Sequence, residues 1–261
     1  MQASARVVAE VDGRGSTRLA VLRGEAPLLL RRTGPRGGGP GVTVHLVGGA
    51  AGPLRGDDLC LEVEVGPRAW LDVHSVAASL ALPGRDGAPP SRLRIDAVVA
   101  ADAVLRWLPE PLIAAAGCHH QAVTNVEAAA GASLVWRDDL VCGRHGESAG
   151  DVRTDTTIRY GGRTLYRHEL AIGPGAPGWS GAAVLGGGRA AGSVVLAGPF
   201  LPSPALLGGD AAVMPLTGPG VLAAAVGQDI RQVRAALDPI CAGYPADISN
   251  QPKPDLRPAT L

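Results

Sequence analysis

Residues 45–66, HLVGGAAGPLRGDDLCLEVEVG, decide how this chain is read, because glycines and acids lead straight into an alternating run. Leu59, Leu61, Val63 and Val65 put their apolar side chains on one face, while Cys60, Glu62 and Glu64 fall on the other. That is the period-2 pattern of a half-buried strand. The glycines ahead of it are not a phosphate cradle. A P-loop needs lysine and then Ser or Thr after its last glycine, whereas Gly56 is followed by Asp57 and Asp58, which repel phosphate. No GxGxxG occurs in the stretch and no helical spacing follows it, so a dinucleotide fold is not indicated either. The glycines turn the chain into a strand.

The same cadence extends in both directions. Short runs rich in Val, Leu and Thr lie between glycine- or proline-marked turns at residues 5–11, 17–22, 42–47, 69–75, 93–98 and 103–108. They continue at 121–128, 133–142, 151–160, 164–172 and 192–196, with Gly161 and Gly162 predicting a hairpin. Their spacing is too irregular to read as sequence repeats. The fold class is all-β, in one domain over residues 1–243. A helical element is expected over about 219–238: a short helix over 221–226, then Val226, Ile230, Val233 and Leu237 at helical steps, with Pro239 as the stop. Residues 244–261 are rich in proline and lack apolar periodicity, which predicts a disordered tail.

Composition excludes several classes. Hydrophobic residues make up 46% of the 261, ample for a core, but aromatics are few. Val, Leu and Ala must build that core, with Trp70, Trp107, Trp136 and Trp179 as isolated bulky fillers. The formal net charge is +0, and Arg31, Arg32 and Arg36 form the one arginine cluster, so no nucleic-acid footprint is present. Cys60, Cys118, Cys142 and Cys241 make no CxxC pair, which argues against a disulfide framework or zinc ribbon and for a reducing compartment. No apolar run is long enough to span a membrane. The expectation is a soluble cytoplasmic protein without nucleic-acid or membrane partners.

Catalytic signals are weak. Gly178, Trp179, Ser180 and Gly181 have the wrong spacing for a nucleophile elbow. Cys118, His119 and His120 with Cys142 and His145 carry metal-binding chemistry, yet strand neighbours such as His119 and His120 point to opposite faces. Asp57, Asp58, Glu110 and Glu147 stand beside turn-forming residues, where carboxylates commonly bond the local backbone. The residues alone support a soluble β-rich protein. A plain binding module and a metal-dependent hydrolase are the alternatives.

The ordered motifs resemble the urease accessory protein family called UreD or UreH. Residues 51–61, AGPLRGDDLCL, follow that family's GGLLGGDxLxL with Gly56 and Asp57 retained. Leu108, Pro109, Glu110 and Pro111 supply its LPxP element, Gln121 its Gln-containing strand, residues 131–134 its GASL turn, and residues 143–147 its GR-then-GE motif. Residues 73–82 keep only the small residues of the family's TTQAATKVY strand end. The resemblance covers residues 5–237. It implies strands coiled in a layered β-helix-like or sandwich-like stack with one or two short C-terminal helices. It also implies a non-catalytic urease maturation factor that joins an F-type helical accessory protein and a G-type GTPase on apo-urease. The resemblance further implies that no cofactor is held permanently, that nickel is a transient cargo, and that Asp57 and Glu147, carried over from the GD and GE motifs, are its candidate oxygen ligands.

Overall fold

The structure, a computed structural model, describes residues 1–34, 41–199, 201–242 and Tyr244. The alternating run becomes β5 (Asp58–Val65), with buried and exposed positions in turn. It lies between β1 (Gln2–Val11) and β8 (Ser91–Val99), parallel to both. Parallel neighbours require the chain to leave the sheet and return, and here it does so by winding. One circuit runs from β4 (Val42–Gly48) to β5; the next takes in β6 (Trp70–Ser75), β7 (Ser79–Ala81) and β8. A third comprises β9 (Val104–Leu108), β10 (Leu112–Ala114) and β11 (His119–Ala128), and a fourth β12 (Ser133–Val141) and β13 (Asp151–Tyr160). β5, β8, β11 and β13 stack in one sheet, β4, β6, β9 and β12 in a second, and β7 and β10 on a narrow third side. This is the layered stack that the resemblance implied.

Antiparallel strands close the ends. β2 (Thr17–Gly24) pairs with β1 and β3 (Leu28–Thr33) with β4. At the other end β14 (Arg163–Ile172) forms the expected Gly161–Gly162 hairpin with β13, and β15 (Ala190–Ala197) pairs with β12. Sheet two continues through β18 (Gly220–Gly227), β17 (Ala211–Pro215) and β16 (Ala205–Leu206). The edge strands β2 and β14 carry exposed charges such as Arg18, Arg23, Arg167 and Glu169, which discourage edge-to-edge pairing.

The circuits were hidden in the sequence because they differ in length: Asp58 sits opposite Arg92, Ser91 opposite His120, and His119 opposite Asp151. The regular element is the turn from sheet one to sheet two, at residues 66–70, 100–104 and 129–133. In each, the third residue is left-handed (Arg68 φ 61°, Asp102 φ 58°, Gly131 φ 86°). In each, the fourth residue, Ala69, Ala103 or Ala132, donates its N–H to the carbonyl three residues back. Those alanines are fully buried, so a larger side chain has no room at the stacked corner.

Beside these corners the interior is solid: Leu71, Leu105 and Leu134 have no exposed surface. Trp107 and Trp136 are not isolated fillers as expected. They are register neighbours on β9 and β12, and their rings stack at 4.9 Å, joining two circuits.

Two expectations near the end of the chain are also corrected, the short helix over 221–226 and Pro239 as the helix stop. The apolar run at 221–226 is not a helix but β18, paired with β15 and β17. Both faces of this strand are covered, by the interior on one side and by α1 (Ile230–Ala242) on the other, so a continuous apolar run gives no periodicity to tell strand from helix. One helix is present among the described residues, and Pro239 lies inside it. The last turn is held past the proline by burial of Cys241 and by Arg106 Nη2, which donates to the Cys241 carbonyl at 2.9 Å. Tyr244 is buried with its hydroxyl donating to the Ala197 carbonyl at 2.9 Å; the expected disordered tail beyond it lies outside the described residues.

Candidate functional site

Away from the stacked corners the two sheets do not close on each other. Leu93, Ala122, Asp138, Thr154 and Ser193 point inward by strand alternation yet remain only half-buried. The surface they keep faces a cavity of about 750 Å³ lined by residues from every circuit, from Leu46 on β4 to Ala224 on β18. Spread over the six strands from β4 to β18, a length of roughly 24 Å at ~4.8 Å per step, this corresponds to a passage a few waters wide.

Asp138 is the acidic centre of this space. Its carboxylate is enclosed by protein and reaches solvent only through the cavity. Thr156 Oγ1 donates to Asp138 Oδ2 at 3.1 Å from the opposite sheet, and Trp136 Nε1 donates to the same oxygen at 3.2 Å. Burial pushes the Asp138 carboxyl up to about 6; the Thr156 and Trp136 donors pull against it, and the neighbouring Asp139 charge adds to the rise. His120 lines the same cavity. Its Nδ1 lies 2.9 Å from Ser91 Oγ, its Nε2 has no hydrogen-bond partner among the described residues, and burial lowers its pKa to about 4. It is therefore a neutral imidazole, the form that coordinates metals. Thr124, Thr154, His168 and Ser193 line the same cavity, and Ser75, Ser79 and Glu110 are further polar groups in its lining.

On the outer face of β12 a different set of charges binds the helix. Arg137 Nε donates to Asp139 Oδ2 at 2.8 Å and Arg137 Nη1 to Asp238 Oδ1 on α1 at 2.6 Å. Arg234 on α1 reaches Glu110 Oε2 at 2.8 Å. This network fixes β12, and with it Asp138, against α1.

The two carboxylates expected as nickel ligands close turns. Asp57 Oδ2 accepts the Leu54 N–H at 2.8 Å while its own N–H donates to the Leu54 carbonyl at 2.9 Å, a reciprocal lock on the tight turn at Gly56. Its Oδ1 lies 2.7 Å from the amino group of Met1. Glu147 receives Arg144 Nε at 2.8 Å and the Ala116 N–H at 3.4 Å, and the Arg144 guanidinium holds its carboxyl down to about 2. The structure does not bring the two together, and neither is among the residues lining the cavity. For Asp57 the expected outcome is that Asp57→Ala lowers stability by roughly 0.5 to 2 kcal/mol, as for a lost cap, while Asp57→Asn is mild because its amide oxygen still accepts. Urea denaturation of the two variants checks this.

The cysteine–histidine set divides as alternation requires. His120 faces inward and His119 outward, and His145 is exposed in its turn. Cys118 and Cys142 are buried in an apolar cluster with Ala114, Leu140 and Val152, and burial pushes both thiols up to about 11. No group of three or more metal-ligating side chains occurs among the described residues, and no helix there is long and apolar enough to cross a membrane. Asp138 escaped the sequence reading because Arg137, Asp138 and Asp139 look like a solvated charge run. The available signal was position: Asp138 shares the inward parity of Leu134, Trp136 and Leu140.

The chain is similar to known proteins over most of its length. Residues 1–258 match the family model described as UreD urease accessory protein. The chain is 48% identical over 245 residues to urease accessory protein UreD 3 of Streptomyces griseus, covering 91% of this chain and 95% of that protein. It is 43% identical to urease accessory protein UreD of Parafrankia sp., with 91% and 87% covered, and 46% identical to that of Streptomyces coelicolor, with 91% and 94% covered. With a family match across nearly its whole length and relatives this similar, the chain belongs to the UreD urease accessory protein family.

Proposed function

We propose that this chain is a cytoplasmic, non-catalytic urease maturation factor. It works on apo-urease with an F-type helical accessory protein and a G-type GTPase, and nickel bound for the urease active site pauses in its cavity. Membership of the family supports the maturation role. The observation that carries the nickel part is Asp138, a carboxylate enclosed between two sheets and facing a water-sized passage.

The chemistry suits a cargo that must be released. Nickel(II) accepts oxygen ligands, and the cavity offers the Asp138 carboxylate and the Thr156 hydroxyl, with the neutral His120 ring buried in its wall. Cys118 and Cys142 stand outside the lining and stay protonated, so tight thiolate ligation does not compete. Asp57 and Glu147 serve the passage indirectly, by fixing the turns on its third side.

Deleting the gene is expected to leave urease subunits synthesised but poor in nickel, and the tagged chain is expected to co-purify with urease and both accessory proteins. Wild-type urease activity after deletion, at limiting nickel and with no second copy present, would overturn the assignment.

A further inference from the structure

The cavity can attract a cation but is poorly equipped to strip one of its water. Glu110, Asp138 and Asp139 belong to its lining, and no lysine or arginine does among the described residues. Two of these carboxylates are paired with arginines behind the wall: Arg234 Nη2 lies 2.8 Å from Glu110 Oε2, and Arg137 Nε donates to Asp139 Oδ2 at 2.8 Å. Asp138 accepts only the neutral Thr156 and Trp136 donors, so its charge is left for the cavity. Taking the waters from a nickel ion requires strong ligands to replace them, of which thiolate and imidazole are the usual ones. No described cysteine lines the cavity. His120 Nε2 is sealed in the wall, and His168 is a single imidazole, exposed on the edge strand β14 opposite Thr156. What surrounds Asp138 is hydroxyl: Thr156 from the facing sheet, Ser193 as its register neighbour on β15, and Thr124 and Thr154 further along the lining.

Neutral hydroxyls are poor substitutes for the waters of a small divalent ion and good hydrogen-bond partners for waters it keeps. The width agrees. A volume of about 750 Å³ over roughly 24 Å leaves the centres of waters a mean section of about 30 Å². Oxygens about 2 Å from a small divalent ion need about 13 Å². We propose that the cation occupies this cavity with its water shell intact, held through those waters by Asp138 and by the hydroxyls of Thr124, Thr154, Thr156 and Ser193. The cavity then selects by charge and not by element, and the choice of nickel is made by the proteins that hand the ion over. This rests on the reading of the cavity as the place where nickel pauses, and adds how the ion is held there.

The test is equilibrium dialysis of nickel against the purified full-length chain and its Asp138→Asn variant, with magnesium or cobalt as competitor. Nickel bound beyond the Asp138→Asn level is expected to be displaced by either competitor at concentrations within about threefold of nickel's own, as for ions held by charge alone. The X-ray absorption spectrum of nickel on the wild-type chain is expected to match that of the aquo ion, and His168→Ala to bind as much as the wild type. Nickel that resists about a hundredfold excess of magnesium, a carboxylate or imidazole in its shell, or loss of binding with His168→Ala overturns the hydrated ion while the nickel reading stands. Equal nickel on the wild type and on Asp138→Asn overturns both. The competition and the spectrum use the wild-type chain, so they decide how the ion is held even where a variant folds poorly.

Discussion

Replacing Arg137 by alanine is expected to lower stability by about 3 to 5 kcal/mol, the usual cost of breaking a buried pair from one side. The reason is what it strands. The Asp139 side chain has 0% exposure, and burial already pushes its carboxyl above the ordinary value with Arg137 at 2.8 Å. Without that guanidinium its nearest remaining cation is Arg234 Nε at 3.7 Å. The Arg137 bond to Asp238 is also lost, which loosens α1 from β12. The check on mechanism is a second variant. Arg137→Met combined with Asp139→Ala removes both charges and is expected to recover part of the loss, because the penalty lies in the unpaired carboxylate. Chemical denaturation of both variants decides; a double variant no more stable than Arg137→Ala would show that the loss is one of packing.

Asp138→Asn is expected to make the protein more stable at pH 8 and no more stable at pH 4. In the unfolded chain the Asp138 carboxyl ionises near its ordinary 3.8, whereas in the fold burial holds it up to about 6. A carboxyl with a raised folded pKa favours the fold while protonated. That stability is fully present below the unfolded pKa and is lost as pH rises through the folded one. Over this window the loss is on the order of 2 to 3 kcal/mol, about 1.4 kcal/mol for each pH unit between the unfolded and folded values. Asparagine keeps an oxygen for the Thr156 and Trp136 donors and carries no charge, so its melting temperature should lack this descent. Melting curves of both proteins between pH 4 and 8 measure it; parallel curves would mean that Asp138 ionises freely in the cavity.

Such a group costs stability at neutral pH, as the proposed cargo site would and a packing residue would not. It is also the part the sequence concealed. The strand at 59–65 was legible from its alternation because one face is buried and the other wet, and the runs at 151–160 and 164–172 were legible because two glycines stand between them. β18 was not, since Val221 to Val226 are covered on both faces and a doubly covered strand has no polar side to set the period. The short strands β7 and β10, three residues each, were missed because the third side follows no alternation of its own. Asp57 and Glu147 stood out in sequence through the glycines around them, and those glycines belong to the turns that the carboxylates close. Asp138 had no flanking motif. Only the meeting of β12 with β13 across the interior puts its carboxylate beside Thr156 and gives it a cavity to face.

Nickel per urease, matured at limiting nickel in cells whose own copy is replaced by Asp138→Asn or Asp57→Asn, tests the role of the cavity most directly. Both variants keep a side-chain acceptor and should fold and co-purify with urease. Asp138→Asn is expected to bring nickel content down toward that of cells lacking the chain, with partial rescue by added nickel, while Asp57→Asn loads like the wild type. Full loading with Asp138→Asn would contradict the account, and loss confined to Asp57→Asn would return the nickel path to the turn at Gly56.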